Sequence, residues 1–236
     1  MKKYVQEATD INIWTSIKNN TFERNKDIKE FIDGLELIDE SACISLDAKW
    51  GDGKTFFVRQ IEEVLKYVLV NQWADEENSI EKLPSYKYLK DNEMIAKMEL
   101  KHSYLPIYYN AWMYDNHSDP LMSLLLVMTK TCKGVYDTKI DSEKISKKLI
   151  EVVATLPISL GEFKANPFTA IEKLQGKSMD ILSLVQTEEE IRERVKGIFN
   201  DIIVERAQKL IIFIDELDRC RPSFAIEMLE RIKHYF

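Results

Sequence analysis

The chain has 236 residues, 45% of them hydrophobic, which is enough for one large domain or one domain with an insertion. Its net charge of −7 and dispersed lysines argue against a dedicated nucleic-acid surface, and no run of about 18 apolar residues predicts a membrane span. The three cysteines, Cys43, Cys132 and Cys220, lack metal-ligand spacing, which favours reduced thiols in a cytoplasmic protein.

The first third of the chain predicts helices on either side of one strand. Residues 1–20 are weakly patterned and predict only a short edge strand or helix. A helix is expected from Thr21 to about Ile38, and apolar residues then predict a buried strand at 42–47. The next helix is expected from Thr55 to about Val70 or Trp73. The apolar face predicted for the helix before the strand comprises Phe22, Ile28, Phe31, Ile32 and Leu35.

The middle of the chain predicts two insertions around a core strand and helix. Residues 74–103 are charged and predict a loop with a short helix around 89–100. A strand follows at 105–112, and Asp119 with Pro120 has the pattern of a helix start. Residues 133–208 predict a helical insertion, which closes with an amphipathic helix at 187–208. Its segment 149–160 is too short to span a bilayer and predicts a core or lid helix, with peripheral membrane contact as the alternative.

The stretch Ala42–Phe57 has the pattern of a strand, a glycine-bearing loop and a helix start, which is typical of a phosphate-binding P-loop. Loop N–H groups and the helix N-terminus face one point, and a polyphosphate supplies the acceptors. Lys54 can reach the terminal phosphates and the Thr55 hydroxyl can bind Mg²⁺. The pattern calls for glycine where Ala48 stands, which would be penalised if the loop needs a positive φ there. The alternative is an ordinary glycine turn with a solvated Lys54.

A second candidate site follows the apolar run at 209–215, which predicts a strand that ends at Asp215 and Glu216. Asp215 is expected to hold the Mg²⁺ that Thr55 also contacts, and Glu216 to polarise the attacking water. The alternative is that these two acids only cap the helix that is expected to begin at Pro222.

Other residues near these motifs keep two interpretations each. Trp50 and Trp112 are expected to pack in the interior, with nucleotide contact as the alternative. Asn110 either positions water and phosphate or only satisfies a strand end. Arg219 is expected to be an ion-pair partner of the neighbouring carboxylates, with a role in a neighbouring subunit's site as the alternative.

Four stretches together resemble the KAP family of P-loop NTPases. The loop Lys49-Trp50-Gly51-Asp52-Gly53-Lys54-Thr55 is similar to the family's phosphate-binding motif, with Ala48 in place of its leading glycine. Asn110-Ala111-Trp112, Asp119-Pro120-Leu121 and Asp215-Glu216-Leu217-Asp218-Arg219-Cys220 resemble its other motifs. The resemblance covers about residues 21–236, is thin at 130–205 and lacks the transmembrane helices of many members. It implies an α/β P-loop NTPase, a three-layer sandwich with a mostly parallel central sheet, and a link to phage defence.

The sequence therefore predicts a Mg²⁺-dependent ATP-binding domain that hydrolyses ATP. Lys54 and Glu216 are the expected catalytic residues, and Thr55 and Asp215 the expected metal ligands. ATP is favoured over GTP because no Asn-Lys-x-Asp motif is present, and a homo-oligomer or a partner protein is expected. A slow-turnover nucleotide switch is the rival, and a nucleic-acid motor ranks last. The expected nucleotide-binding residues are Trp50, Gly51, Asp52, Gly53, Lys54, Thr55 and Phe56.

The expected domain is residues 1–236, divided into segments 21–73, 74–103, 104–132, 133–208 and 209–236. P-loop domains with an extra catalytic glutamate place another strand between the P-loop strand and the strand that bears the acidic pair. That strand follows the helix at Pro222, so the core is expected to be C-terminally incomplete. The alternative is that residues 1–15 or another chain fill the gap.

Overall fold

The computed structural model describes residues 7–72, 80–117, 119–136, 193, 195–197 and 207–235. The chain forms two compact units, one of Met1–Tyr108 with Arg206–Phe213 and one of Tyr109–Glu205 with Ile214–Phe236. Most of the predicted helix 187–208 lies outside the described residues. Of its described residues, 193 and 195–197 are helical, and 207–208 are not. Segment 149–160 lies entirely outside them.

The first unit is mainly helical. Its longest helix, α3, begins at Lys54, one residue before the predicted start, and ends at Gln72 within the predicted range. The charged insertion holds two short helices where one was predicted around 89–100. The helices of this unit are α1 (Asp10–Lys18), α2 (Arg24–Leu35), α3 (Lys54–Gln72), α4 (Tyr86–Leu89) and α5 (Glu93–Ala96).

Helix α1 is an element for which the sequence predicted only a weak edge segment. Thr9 caps it by accepting a hydrogen bond from the Asn12 N–H at 3.4 Å. Ile13 and Ile17 are completely buried. The helix therefore belongs to the core of the first unit, although its two buried isoleucines are too few to give a strong pattern.

Helix α2 confirms most of its predicted apolar face, because Ile28, Ile32 and Leu35 are buried. It starts later than predicted, since Thr21–Glu23 form a 3₁₀ turn before it. Phe22 was placed on the buried face and is instead 88% exposed. Its φ of 58° turns the backbone out of the helical path, so the helical spacing does not extend to this residue.

The prediction of a buried strand at 42–47 is wrong for the described structure, where residues 41–49 form no regular element. Ile44 and Leu46 are 52% and 41% exposed. A strand needs a neighbour for its backbone groups, and in the described part of the chain the two strands pair with each other. The apolar residues of 42–47 thus have strand-forming character without a ladder to join there.

The sheet pairs β1 (Tyr104–Asn110) with β2 (Lys209–Asp215) and is parallel. The Ser103 carbonyl accepts hydrogen bonds from the N–H groups of Gln208 at 2.9 Å and Lys209 at 3.0 Å, so the two strands start side by side. Both strands agree closely with the predicted segments 105–112 and 209–215. In β2, however, only Phe213 is fully buried, whereas the sequence predicted burial on both faces.

The second unit contains α6 (Pro120–Tyr136) and α7 (Pro222–Tyr235), and each helix begins at its predicted proline. The predicted cap at Asp119 is confirmed, because its Oδ1 accepts the Leu121 N–H at 2.8 Å. The hydroxyl groups of Tyr109 and Ser123 are 2.6 Å apart in the interior. That bond satisfies a polar group at the base of α6, and burial raises the pKa of Tyr109.

Helix α3 carries buried charges on the side that faces α1. Lys66 Nζ lies 2.5 Å from Glu63 Oε1 and 3.6 Å from Glu62 Oε1, and Arg59 pairs with Glu62. Trp14 of α1 donates its indole N–H to Glu63 Oε2 at 2.7 Å. These hydrogen bonds leave both buried carboxylates compensated and join α1 to α3.

The charges of this cluster perturb one another. Burial alone would lower the pKa of Lys66, but the attraction of Glu62 and Glu63 raises it above the ordinary value. Burial raises the pKa of Glu62, and the cations offset only part of this effect. Lys66 is therefore charged at neutral pH and holds two carboxylates in the interior.

Removing Lys66 should leave these carboxylates undercompensated. We expect Lys66→Met to lower the free energy of unfolding by about 3–5 kcal/mol, measured by urea denaturation at pH 7. Lys97→Met is the matched control, because Lys97 pairs with Glu93 at 3.3 Å on the exposed surface. This substitution should lower the free energy of unfolding by less than about 1 kcal/mol. Equal losses in the two variants would contradict the compensating role of Lys66.

Candidate nucleotide-binding site

The predicted phosphate-binding loop has the backbone of a tight turn. Gly51 and Gly53 have φ angles of 91° and 84°, a region that residues with a Cβ adopt only under strain. Ala48 is not among the described residues with positive φ, so alanine stands there without the penalty that the motif suggested. The loop therefore tolerates alanine at position 48, where the full motif has glycine.

Asp52 closes the turn from both sides. Its N–H donates to the Lys49 carbonyl at 3.2 Å, and its Oδ2 accepts the Lys49 N–H at 3.1 Å. These two hydrogen bonds hold the Asp52 side chain on the loop itself, so Asp52 stabilises the turn.

Helix α3 begins directly after the second glycine. The N–H of Phe57 donates to the Gly53 carbonyl at 2.9 Å, which makes it the first bond of the helical ladder. The N–H groups of Lys54, Thr55 and Phe56 precede that ladder and lie at the positive end of a 19-residue helix. This arrangement suits an anion that supplies oxygen acceptors.

Lys54 is bound by the loop in the described structure. Its Nζ donates to the Ala48 carbonyl at 2.6 Å and thereby spans the turn. The alternative of a solvated Lys54 is therefore wrong for this structure. The ammonium group is held beside the loop, where a stronger acceptor can replace the Ala48 carbonyl as its hydrogen-bond partner.

Trp50 is 80% exposed, which contradicts the expectation that it packs beneath the loop. It directly precedes Gly51, where the chain makes a tight turn with a φ of 91°, and the indole lies on the surface at this turn. Its proposed contact with nucleotide stays a prediction.

The acidic pair lies at the end of β2. The Asp215 Oδ1 accepts the N–H of Glu216 at 2.8 Å. Glu216 has a φ of 58°, in the left-handed region that a glutamate rarely occupies. Its side chain is mostly covered, and its Oε1 lies 3.1 Å from Arg219 Nη2. The expectation that Arg219 is an ion-pair partner of the neighbouring carboxylates is thus confirmed for Glu216.

Asn110 and Trp112 have structural contacts in the second unit. Asn110 Oδ1 accepts the Met113 N–H at 3.2 Å and caps the 3₁₀ turn Ala111–Tyr114, which favours its strand-end role. Trp112 was expected in the core but is 55% exposed, because the turn after β1 directs it outward. The guanidinium carbon of Arg219 lies 5.7 Å from its ring centroid, within cation–π range.

A contact that the sequence did not indicate joins the turns after β1 and β2. Asp115 Oδ1 accepts the Arg221 N–H at 2.9 Å, and Arg221 Nε lies 3.3 Å from Asp115 Oδ2. The Arg221 guanidinium also donates to the Asp115 carbonyl. These residues are 106 positions apart, so no local pattern could have paired them.

Cys220 is inert in this surrounding. Its Sγ donates to the Glu216 carbonyl at 3.6 Å. Burial raises the pKa of the thiol, and Asp115, Asp218 and Glu216 raise it further. The thiol is therefore protonated at neutral pH, and it supports the turn that carries Glu216.

The structure distributes the predicted site residues over its two units. Trp50 through Phe56 belong to the first unit, and Asp215 and Glu216 to the second. Among the described residues, no helix combines the length and hydropathy needed to cross a membrane.

The glycine turn, the lysine that spans it and the helix start together define a P-loop domain. The chain belongs to the KAP family, because the family model described as the KAP family P-loop domain matches residues 24–236. No curated protein and no solved structure matches the chain. The resemblance read from the motifs is confirmed, and membership of this family indicates nucleotide binding.

The left-handed turn can be tested with two glycines in equally open surroundings. A Cβ atom at Gly51 or at Gly34 would meet no other atom within 4 Å. Gly51→Ala should lower the free energy of unfolding by about 1–2 kcal/mol, because its φ is 91°. Gly34→Ala, within α2, should raise it by about 0.5–1 kcal/mol. Urea denaturation measures both, and equal tolerance would show that the turn does not require a left-handed residue.

Proposed function

We propose that this chain binds Mg–ATP at residues 50–56 and hydrolyses it to drive a conformational switch. The observation that carries the proposal is the left-handed turn at Gly51 and Gly53, which leads directly into the N-terminus of α3. N–H groups at a helix start and a neighbouring lysine are the donors that polyphosphates require.

Lys54 fits a polyphosphate because its present partner is a weak one. The Ala48 carbonyl is a neutral acceptor, whereas a phosphate oxygen carries charge and forms a stronger hydrogen bond. When a phosphate oxygen replaces the Ala48 carbonyl as acceptor, the Lys54 ammonium group keeps a hydrogen-bond partner throughout. Lys54 then stabilises charge on the transferred phosphoryl group, as a catalytic residue of this reaction does.

Thr55 and Asp215 are the proposed ligands of Mg²⁺. A hydroxyl and a carboxylate are the hard oxygen donors that this ion prefers. When bound, Mg²⁺ offsets the negative charge of the phosphates. The structure shows a half-buried Thr55 at the start of α3 and Asp215 at the last position of β2.

Glu216 is the proposed residue that orients the attacking water. Its strained backbone is the kind of local cost that functional sites carry. Its carboxylate lies at the end of a parallel strand, the edge at which such sheets bind ligands.

Further features of the proposal depend on the sequence pattern or on the family resemblance, not on contacts in the structure. They are the three-layer sandwich with a mostly parallel sheet, a helical insertion at 133–208, and assembly with copies or a partner protein. ATP as the preferred nucleotide, cytoplasmic location and a role in phage defence belong to the same proposal.

A second candidate function is a slow-turnover nucleotide switch. It is favoured by the 3.1 Å ion pair between Glu216 and Arg219, since this contact must open before the Glu216 carboxylate can orient a water molecule. In this variant of the proposal the protein binds Mg–ATP tightly and presents a surface to a partner.

Binding is tested by thermal unfolding with and without Mg–ATP. Ligand at a hundred times its dissociation constant should stabilise the protein by about 2.7 kcal/mol, and Lys54→Ala should abolish the shift. Lys29→Ala is the matched control, because Lys29 pairs with Asp33 at 2.5 Å on the surface of α2. The absence of any shift at millimolar Mg–ATP in the unaltered protein would refute the proposal.

Hydrolysis is tested by phosphate release from the unaltered protein and from Glu216→Gln. For an enzyme, the substitution should keep the thermal shift with Mg–ATP and lower turnover by about a hundredfold or more. The exposed Glu230 on α7 provides the control Glu230→Gln, which should leave turnover unchanged. A slow turnover that Glu216→Gln does not lower would favour the switch over the enzyme.

A further inference from the structure

Arg24, the first residue of α2, lies against the phosphate-binding loop although it is outside the loop motif. Its Nη2 donates to the Asp52 carbonyl at 3.1 Å. The same atom would lie 3.6 Å from a Cβ atom at Gly53. The guanidinium group therefore contacts the loop at the peptide that joins Asp52 to Gly53.

This contact fixes the direction of one loop donor. In a planar trans peptide, the carbonyl of one residue and the N–H of the next point in opposite directions. Because Arg24 binds the Asp52 carbonyl, the Gly53 N–H points away from Arg24. We propose that Arg24 is a positioning residue that orients the Gly53 N–H toward the phosphates of the nucleotide.

The guanidinium group is held from its other side by aromatic packing. Its carbon atom lies 5.6 Å from the centroid of the Phe57 ring, and Phe57 packs edge-on against Phe31 at 6.0 Å. Phe57 belongs to the first turn of α3 and Phe31 to α2. The Arg24 guanidinium group thus contacts both the loop, at Asp52, and the start of α3, at Phe57.

The backbone segment just before Arg24 is strained. Asn20, Phe22 and Glu23, which lie within the four residues before Arg24, have φ angles of 48°, 58° and 56°. The Asn20 Oδ1 accepts the Asn25 N–H at 3.0 Å, which holds the segment across its turns. Such strain persists where the surrounding structure requires one placement, as at ligand sites. It is an independent indication that the position of Arg24 matters.

This inference rests on the proposed nucleotide binding and adds a residue to it. Because Arg24 acts through the loop backbone, it should affect any ligand that presents polyphosphate oxygens, whatever base the ligand carries. The base-free probe is inorganic triphosphate with Mg²⁺, compared with Mg–ATP.

The test uses Arg24→Met, which removes the donors but keeps an apolar chain on Phe57, and Arg24→Lys, which restores a charge and a donor. Lys26→Met is the control, since Lys26 is on the same helix and pairs only weakly with Glu30 at 3.6 Å on the surface. Titration calorimetry measures both ligands, and the amide NMR signal of Gly53 reports the loop without ligand.

We expect Arg24→Met to weaken Mg–ATP and Mg–triphosphate by about tenfold each, with partial recovery in Arg24→Lys and no change in Lys26→Met. The Gly53 amide signal should move in Arg24→Met and stay in place in Lys26→Met. A loss for Mg–ATP alone would overturn the proposal, because Arg24 would then recognise the nucleoside.

Binding by the unaltered protein with no change in Arg24→Met would also overturn it, while leaving the proposed function intact. If the unaltered protein binds neither ligand, the proposed function fails and the role of Arg24 fails with it.

Discussion

The change of backbone direction at Gly51 and Gly53 is the constraint on which the loop of the first unit depends. Because both φ angles are left-handed, the chain can fold over itself and still enter α3 at Lys54 without an intervening linker. The hydrogen bonds of Asp52 with Lys49 and of Lys54 with Ala48 close the same turn. For the proposed nucleotide, donors that are already in place would lower the ordering cost of binding.

The helix behind this turn is anchored by charge as well as by apolar burial. Hydrophobic contacts alone would allow α1 and α3 to slide past each other. The Trp14–Glu63 hydrogen bond and the 2.8 Å Gln60–Ser16 hydrogen bond form in only one register of the two helices. Desolvated carboxylates add little net stability, since their burial opposes the attraction of their partners. Their contribution here is a fixed axis for α3, whose N-terminus carries the site.

Local chemistry explains which features could be predicted from the sequence. Helix α3, strand β2 and the Asp119 cap each depend on residues that are near in sequence, and all three were found. Trp50 and Trp112 were expected in the interior, but both are exposed: Trp50 directly precedes the turn at Gly51, and Trp112 lies in the 3₁₀ turn after β1. The contacts of Arg24 with Asp52 and of Asp115 with Arg221 cross 28 and 106 positions, and no periodicity encodes such pairs.

The two groups of candidate residues differ in what a ligand must displace. Lys54 gives up a neutral carbonyl, which is a weak competitor for a phosphate oxygen. Glu216 must act while Arg219 neutralises its carboxylate, and Arg219 itself lies over the ring of Trp112. The resting contacts of the loop thus present little competition to the proposed binding, whereas the proposed catalytic role of Glu216 requires the ion pair with Arg219 to rearrange.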